Sequence, residues 1–280
     1  MFIIGILLLS GGLFYLLVFS PIFRLNKINI DGIIGMDPRP IDDIVLSILN
    51  KKILFGKIPV NNPLFLPDNE ILKEIGAISF RIKNVSVRTE ILNHIILVKI
   101  DQRQPSAIWC RVLQPELPPA VSLNATTSES KVRSDSMASA APEAENCFFV
   151  DVEGFIYETA PIISGGALPT VYQQSNIDLK VGEEVSNQRM FGFILATKKD
   201  LSSININLTD FIVEEQSAGD LEILAPDGWR IYLDTTAQSP DAQISVLKRV
   251  LLEEIKDKRS QLDYIDLRVA GRAYFKLKTP

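Results

Sequence analysis

"LDYIDLRVAGRAYFKLKTP", Leu262 to Pro280, closes the chain. Apolar and polar residues alternate on both sides of Ala270-Gly271. The pattern predicts a strand, a tight turn, and a last strand over Ala273 to Lys278. In that strand Ala273, Phe275 and Leu277 share one side; Tyr274, Lys276 and Lys278 share the other. An edge strand offers free N–H and C=O groups to another chain, so natural edges are covered or guarded. The residues admit both readings here: a partner strand laid along the edge, or Lys276 and Lys278 guarding it.

The same kinds of signal organise the residues upstream. "SPDAQISVLKRVLLEEIKDKRSQ" predicts a helix with Ser239 as N-cap and Pro240 at its first position. Its apolar face is Ile244, Leu247, Val250, Leu251 and Ile255. "FIVEEQSAGDLEILAPDGWRIYLD" reads as three short strands with turns at Ala218-Gly219 and Asp227-Gly228. "NQRMFGFILATKKD" has helical spacing, and "FFVDVEGFIYE" is a hairpin turning at Glu153-Gly154. "SGGALPT", from Ser164, leads into no helix and reads as a loop. Residues 103–280 are thus expected to form a mixed antiparallel β domain with two helices.

Residues 24–102 give a different order. "LNKINIDGI" is a strand stopped by Asp31-Gly32, and "IDDIVLSILN" a helix burying Ile41, Ile44, Val45, Ile48 and Leu49. "KKILFGKIPVNNPLFL" is a loop with apolar anchors. Asp68 can cap a second helix through Ile71, Leu72 and Ile75. "FRIKNVSVRTEILNHIILVKIDQRQPSAIW" supplies two strands joined near Asn93-His94. Strand, helix, helix, strand, strand makes a small α+β module with helices on one face. The expected class for the whole chain is α+β.

Residues 1–23, "MFIIGILLLSGGLFYLLVFSPIF", contain no charged side chain. They are expected to form a transmembrane helix, since about 20 apolar residues span a bilayer core. No basic n-region precedes them and no A-x-A site follows, so an uncleaved single-pass anchor is expected rather than a signal peptide. Arg24 and Lys27 then lie on the external side, against the positive-inside rule. Either a basic tail precedes Met1 or the large downstream domain dominates the orientation.

Between Cys110 and Cys147 the insert 111–146 lacks aromatic residues and is rich in Pro, Ser, Ala and Glu. It cannot bury enough apolar surface to order itself, so disorder is expected. If its flanks pair, Trp109 meets Phe148 and Cys110 meets Cys147. A disulfide there suits only an extracytoplasmic location; two reduced buried thiols are the other reading.

The composition excludes several functions. A net charge of −5 with interspersed signs gives no basic stripe for nucleic acid. One histidine and two cysteines leave little for metal or triad chemistry. No G-x-S-x-G, H-E-x-x-H or Gly-rich phosphate loop occurs. Asp151, Glu153 and Gly154 lack the remaining positions of a calcium loop. His94 reads as a surface turn residue. No cofactor, metal or small-molecule substrate is expected, and the chain is read as a non-enzyme.

Several of these stretches together resemble the FtsQ/DivIB family of bacterial cell-division proteins. They are "INIDGI", the two strands running into Asp101-Gln102-Arg103-Gln104-Pro105-Ser106-Ala107-Ile108-Trp109, the hairpin "FVDVEGFIYE", and "LDYIDLR". The resemblance implies a POTRA domain over 24–102 and an FtsQ-type β domain over 103–280. It implies a scaffold of the divisome in the inner membrane at the septum, with its bulk extracytoplasmic. Such a scaffold links division proteins and helps recruit or regulate septal peptidoglycan synthesis by protein contacts. The implied partners are coiled-coil proteins like FtsB and FtsL, bound at the final hairpin. Carried onto this sequence, that surface comprises Val269, Gly271, Phe275 and Leu277. Val269 and Leu277 stand where the family often has aromatics. An alternative is a POTRA-type component that handles or transports polypeptides in the envelope.

Overall fold

The computed structural model describes residues 2–53, 58–113, 144–162, 167–185, 187–203, 206, 208–214, 219–225 and 227–278. Most of the insert, the start of "SGGALPT" and Ala218 of the expected Ala218-Gly219 turn lie outside the described residues. The chain divides into two compact units, Met1–Arg103 and Gln104–Pro280.

The first unit opens with helix α1, Phe2–Phe19, of 18 residues. It stops where Ser20 adopts an extended backbone and its side chain accepts from the Ile22 N–H, starting a single tight turn at Pro21–Phe23. At about 1.5 Å per residue α1 is roughly 27 Å long, short of a core of about 30 Å. Among the described residues no helix is long and apolar enough to cross a membrane. The transmembrane helix expected over 1–23 is therefore corrected: the proline turn shortens it.

Strand β1 (Lys27–Asp31) leads to α2 (Arg39–Leu49), which buries Ile41, Val45, Ile48 and Leu49 along one face. The short strands β2 (Lys52–Ile53) and β3 (Ile58–Pro59) pair with each other. Helix α3 (Asp68–Gly76) buries Ile71 and Ile75. Pro67, not Asp68, occupies its cap position, and no side chain caps it. Strands β4 (Ile82–Glu90) and β5 (Ile95–Gln102) follow. The sheet order is β1-β5-β4, with β1 parallel and β4 antiparallel to β5. Ile96, Val98 and Ile100 of β5 meet the buried residues of α2 and α3 in one apolar core.

The second unit holds a nine-stranded sheet. Its strands are β6 (Ala107–Val112), β7 (Asn146–Val150), β8 (Ile156–Ala160), β9 (Thr170–Gln174), β10 (Asp210–Glu214), β11 (Asp220–Leu224), β12 (Arg230–Asp234), β13 (Leu262–Asp266) and β14 (Tyr274–Leu277). Helix α4 (Gln188–Ser203) lies between β9 and β10 in sequence, and α5 (Pro240–Val250) between β12 and β13. The spatial order is β14-β13-β12-β11-β10-β9-β6-β7-β8.

The expected antiparallel character of this domain is corrected too. β6–β9, β9–β10 and β12–β13 are parallel pairs, so the sheet is mixed α/β. For β9–β10 and β12–β13 the physical reason is connectivity. Neighbouring strands joined through a helix run the same way, because the crossover returns the chain to its starting end. Both helices are used like this. Their apolar residues, including Met190, Phe191, Ile194, Ile244 and Leu247, cover one sheet face and enclose Trp109, Phe211, Ile231 and Ile265. The Trp109 indole N–H donates to Gln173 Oε1 at 2.7 Å, which satisfies its one buried donor.

Ser239 caps α5 by accepting from the Ala242 N–H. Beyond Val250 the helix widens into a π turn, Leu251–Ile255, and then breaks at Lys256, whose φ is +52°. Leu251 and Ile255 nonetheless remain buried.

Candidate functional site

A nine-stranded open sheet has two edges, and they are treated differently. At the β8 edge the chain folds back onto the start of the strand. Ile156 donates to the Glu183 carbonyl and Gly182 donates to the Ile156 carbonyl, both at 2.8 Å. Phe155 bridges Glu184, and Val185 donates to the Gly154 carbonyl. The turn beneath is fixed by Asp151, whose Oδ1 accepts from the Glu153 and Phe155 N–H groups. That carboxylate is turned inward to the backbone, as in an Asx turn. Among the described residues no group of three or more His, Cys, Asp or Glu side chains could hold a metal ion.

At the other edge, no described strand pairs with the outer side of β14. Lys278 N–H donates inward to the Gln261 carbonyl at 2.7 Å. Backbone groups alternate sides along an antiparallel strand. Those of Lys276 and Tyr274 therefore also face β13, and those of Phe275 and Leu277 face away from the sheet.

The side chains obey a separate alternation. Phe275 lies opposite Ile265, and Leu277 opposite Leu262. Cross-strand partners share a face, so Phe275 and Leu277 are on the helix-covered side. Ala273 and Leu277 pack against the core, whereas Phe275 is 42% exposed. A backbone edge and an apolar ring are thus presented together.

The hairpin turn completes this surface. Arg272 N–H donates to the Val269 carbonyl, Gly271 holds φ +69°, and no atom approaches within 4 Å of where a Gly271 side chain would begin. Val269 is 48% exposed beside the turn. The four residues singled out from sequence, Val269, Gly271, Phe275 and Leu277, therefore lie on one hairpin. Leu277 is the most inward of them.

The lysines turn towards the sheet. Lys276 Nζ is 3.0 Å from Asp263 Oδ2, which holds the ammonium more firmly protonated than usual. Lys278 Nζ reaches the Asp227 carbonyl at 3.5 Å. Beneath them Arg268 anchors the end of β13. It donates to both oxygens of Asp266 and to Asp220, and stacks over Tyr232 at 5.3 Å. These hydrogen bonds pull the Asp266 carboxyl below the usual carboxylate range and the Arg268 guanidinium well above its own. Gln238 Nε2 donates to the Leu267 and Arg268 carbonyls, fixing the strand's exit. These bonds hold β13 beneath β14, and no described strand pairs with the outer side of β14.

The two cysteines are paired. Trp109 stands opposite Phe148 and Cys110 opposite Cys147, and Cys110 and Cys147 form a disulfide across 37 residues of sequence. Both sulfurs lie with Tyr172 and Ile212 on the face away from α4 and α5. Burial, with the Asp210 charge nearby, pushes the Tyr172 hydroxyl up to about 12. His94 sits in the β4–β5 turn with φ +59° and donates through Nδ1 to the Arg24 carbonyl.

Sequence reasoning missed Asn62, which is 1% exposed and bonds the C-terminal carbonyls of α1. Its only sequence signal, Asn-Asn-Pro, reads simply as a loop.

No protein-family model matches the chain, and no curated protein matches it significantly.

Proposed function

We propose that this chain is an extracytoplasmic scaffold of the bacterial division machinery, of the FtsQ/DivIB kind. On this reading β14 receives an extended segment from a small coiled-coil division protein like FtsB or FtsL. The added strand pairs with the outward N–H and C=O groups of Phe275 and Leu277, and an apolar partner side chain packs on the Phe275 ring. Main-chain bonds give such strand addition its affinity and side-chain contacts its specificity. The chain acts through contacts rather than chemistry, helping to recruit or regulate septal wall synthesis.

The observation that carries the reading is the contrast between the edges. At β8 the chain's own Gly182–Val185 segment bonds the strand's first residue, Ile156, while no described strand pairs with the outer side of β14, which bears a half-exposed phenylalanine. The engaged lysines weigh against mere guarding, because Lys276 is tied back to Asp263. The disulfide supports a compartment outside the cytoplasm, where such bonds persist. The sequence resemblance supplies the divisome context, with a POTRA-like first unit ahead of the partner-binding domain.

The test is photo-crosslinking in dividing cells from position 275, with position 158 on β8 as control. A crosslink from 275 to a small coiled-coil division protein, absent from 158, is the expected result. Crosslinks confined to the chain itself, or equal from both positions, would overturn the proposal.

A further inference from the structure

The surroundings of the Cys110–Cys147 bridge bear on when that bond is made, whatever partner β14 takes. Cys110 is 1% exposed and Cys147 4%. The pair is also flanked within the sheet. Ala160 of β8 lies opposite Cys147, and Tyr172 of β9 opposite Cys110. Ile212 of β10 continues the row beyond Tyr172, and both pack with the cysteines in one buried cluster.

Arg111 adds a clasp at this end of the ladder. Its side chain, only 12% exposed, binds Glu145, two residues before Cys147, and Asp178 at 2.7 Å. The Glu145 N–H donates to the Arg111 carbonyl at 3.0 Å, and the Ser175 N–H to the Val112 carbonyl at 3.1 Å. The start of β7 and the end of β9 are thus both fastened to β6 beside the bridge. Exchange of a disulfide needs an outside sulfur to reach one of the bonded pair. In the folded unit that contact waits until the β6–β7 pairing opens.

We propose that the bridge is made on the chain before β6 and β7 pair, and that the folded unit no longer exchanges it. The reaction that supplies it is thiol oxidation by a disulfide donor. The thiolate of one cysteine attacks the donor's disulfide, and one donor thiol leaves. The thiolate of the second cysteine then attacks the sulfur of the first and displaces the other donor thiol. Two cysteine thiols are oxidised to one bond, the donor is reduced to two thiols, and the two protons end on those thiols. Both attacks need a sulfur to approach along an S–S axis. The extended chain offers that approach; the buried row Ala160, Cys147, Cys110 and Tyr172 does not. Once the strands pair, the Arg111 clasp holds them closed, and the bond is a fixed brace and not a redox switch.

The experiment uses the full, oxidised chain with dithiothreitol as probe, counting thiols by alkylation and mass spectrometry. Reduction in native buffer is expected to be at least about a hundredfold slower than in concentrated urea, because opening precedes attack. A smaller slowing would overturn the proposal. Arg111→Met should speed native reduction roughly tenfold. Arg230→Met, which breaks the Glu222 pair elsewhere on the sheet, should leave it unchanged. Glu145→Gln keeps Arg111 and reads the same acceleration if Arg111→Met does not fold. No acceleration in a folded clasp variant, or an equal one in Arg230→Met, would remove the clasp's role. In the forward direction the reduced chain is returned to native buffer, its fold followed by circular dichroism, and oxidised glutathione added. Folding that waits for the bridge fits the proposal, as does bridging of a folded reduced unit at least about a hundredfold slower than in urea. Faster bridging of a folded reduced unit would overturn it.

Discussion

Phe275 lies directly across the β13–β14 ladder from Ile265, yet Ile265 is fully buried and Phe275 is 42% exposed. The two side chains share one face of the sheet, and the helix layer covers only the first. Ile265→Ala should therefore cost roughly 2–5 kcal/mol, the usual range for emptying a buried aliphatic site. Phe275→Ala should cost less than about 1 kcal/mol while weakening partner capture, read by a crosslink from the neighbouring exposed position 269. Urea unfolding of both variants checks the contrast; equal losses would show that Phe275 is a core residue.

The Cys110–Cys147 bond closes a long loop across adjacent strands. In the chain-entropy account, Cys110→Ser/Cys147→Ser should lower stability by about 3–4 kcal/mol. Equilibrium unfolding of the oxidised and double-serine proteins measures this directly. The loss should appear in the second unit, with the first unit's transition unchanged.

The Arg268–Asp266 pair sets an acid limit on the hairpin's support. Asp266 ionises more readily folded than unfolded, because Arg268 hydrogen-bonds its carboxylate. Its stabilisation is complete above the unfolded value of about 3.9. It fades as pH falls through the lower folded value. Asp266→Asn should flatten that part of the stability profile. The pair is partly exposed, so the amplitude is small and is best read by NMR titration of Asp266.

Asn62→Ala would strip two carbonyls at the end of α1 of their buried donor. A cost of about 1–3 kcal/mol is expected from leaving such groups unmet. Hydrogen exchange should rise from Leu17 to Leu25 and in the Asn62–Leu64 turn, with the β4–β5 ladder retained. Unchanged exchange would mean that the helix end is held elsewhere.

Local rules made α5 readable, since Ser239, Pro240 and the spacing of Ile244, Leu247 and Leu251 act within a few residues of one another. The alternation of Phe275 and Leu277 was readable for the same reason. Strand β9 was not among the strands the sequence reading placed. It is only five residues long, yet it lies between β6 and β10 and is central to the sheet. Its absence from that reading hid the β9–α4–β10 crossover and with it the parallel pairing. The bonding of the start of β8 was also hidden, because it comes from Gly182–Val185, well downstream in sequence. The end of α1 depended on Ser20 and Pro21, where composition alone suggested a continuous apolar span.

The disulfide has a consequence for sequence change. With Cys110 and Cys147 joined, the ends of the intervening segment are tied together in the unfolded chain as well as in the folded one. Lengthening an open loop costs about 0.6 kcal/mol per doubling, but that cost arises only where folding itself must close the loop. Here closure precedes folding, so it cancels between the two states. The pairing of Trp109 with Phe148 is set by the ladder and the covalent bond, whatever length of chain separates them. The second unit can thus take a longer segment between Cys110 and Cys147 with little added cost in loop-closure entropy, provided the bridge stays oxidised.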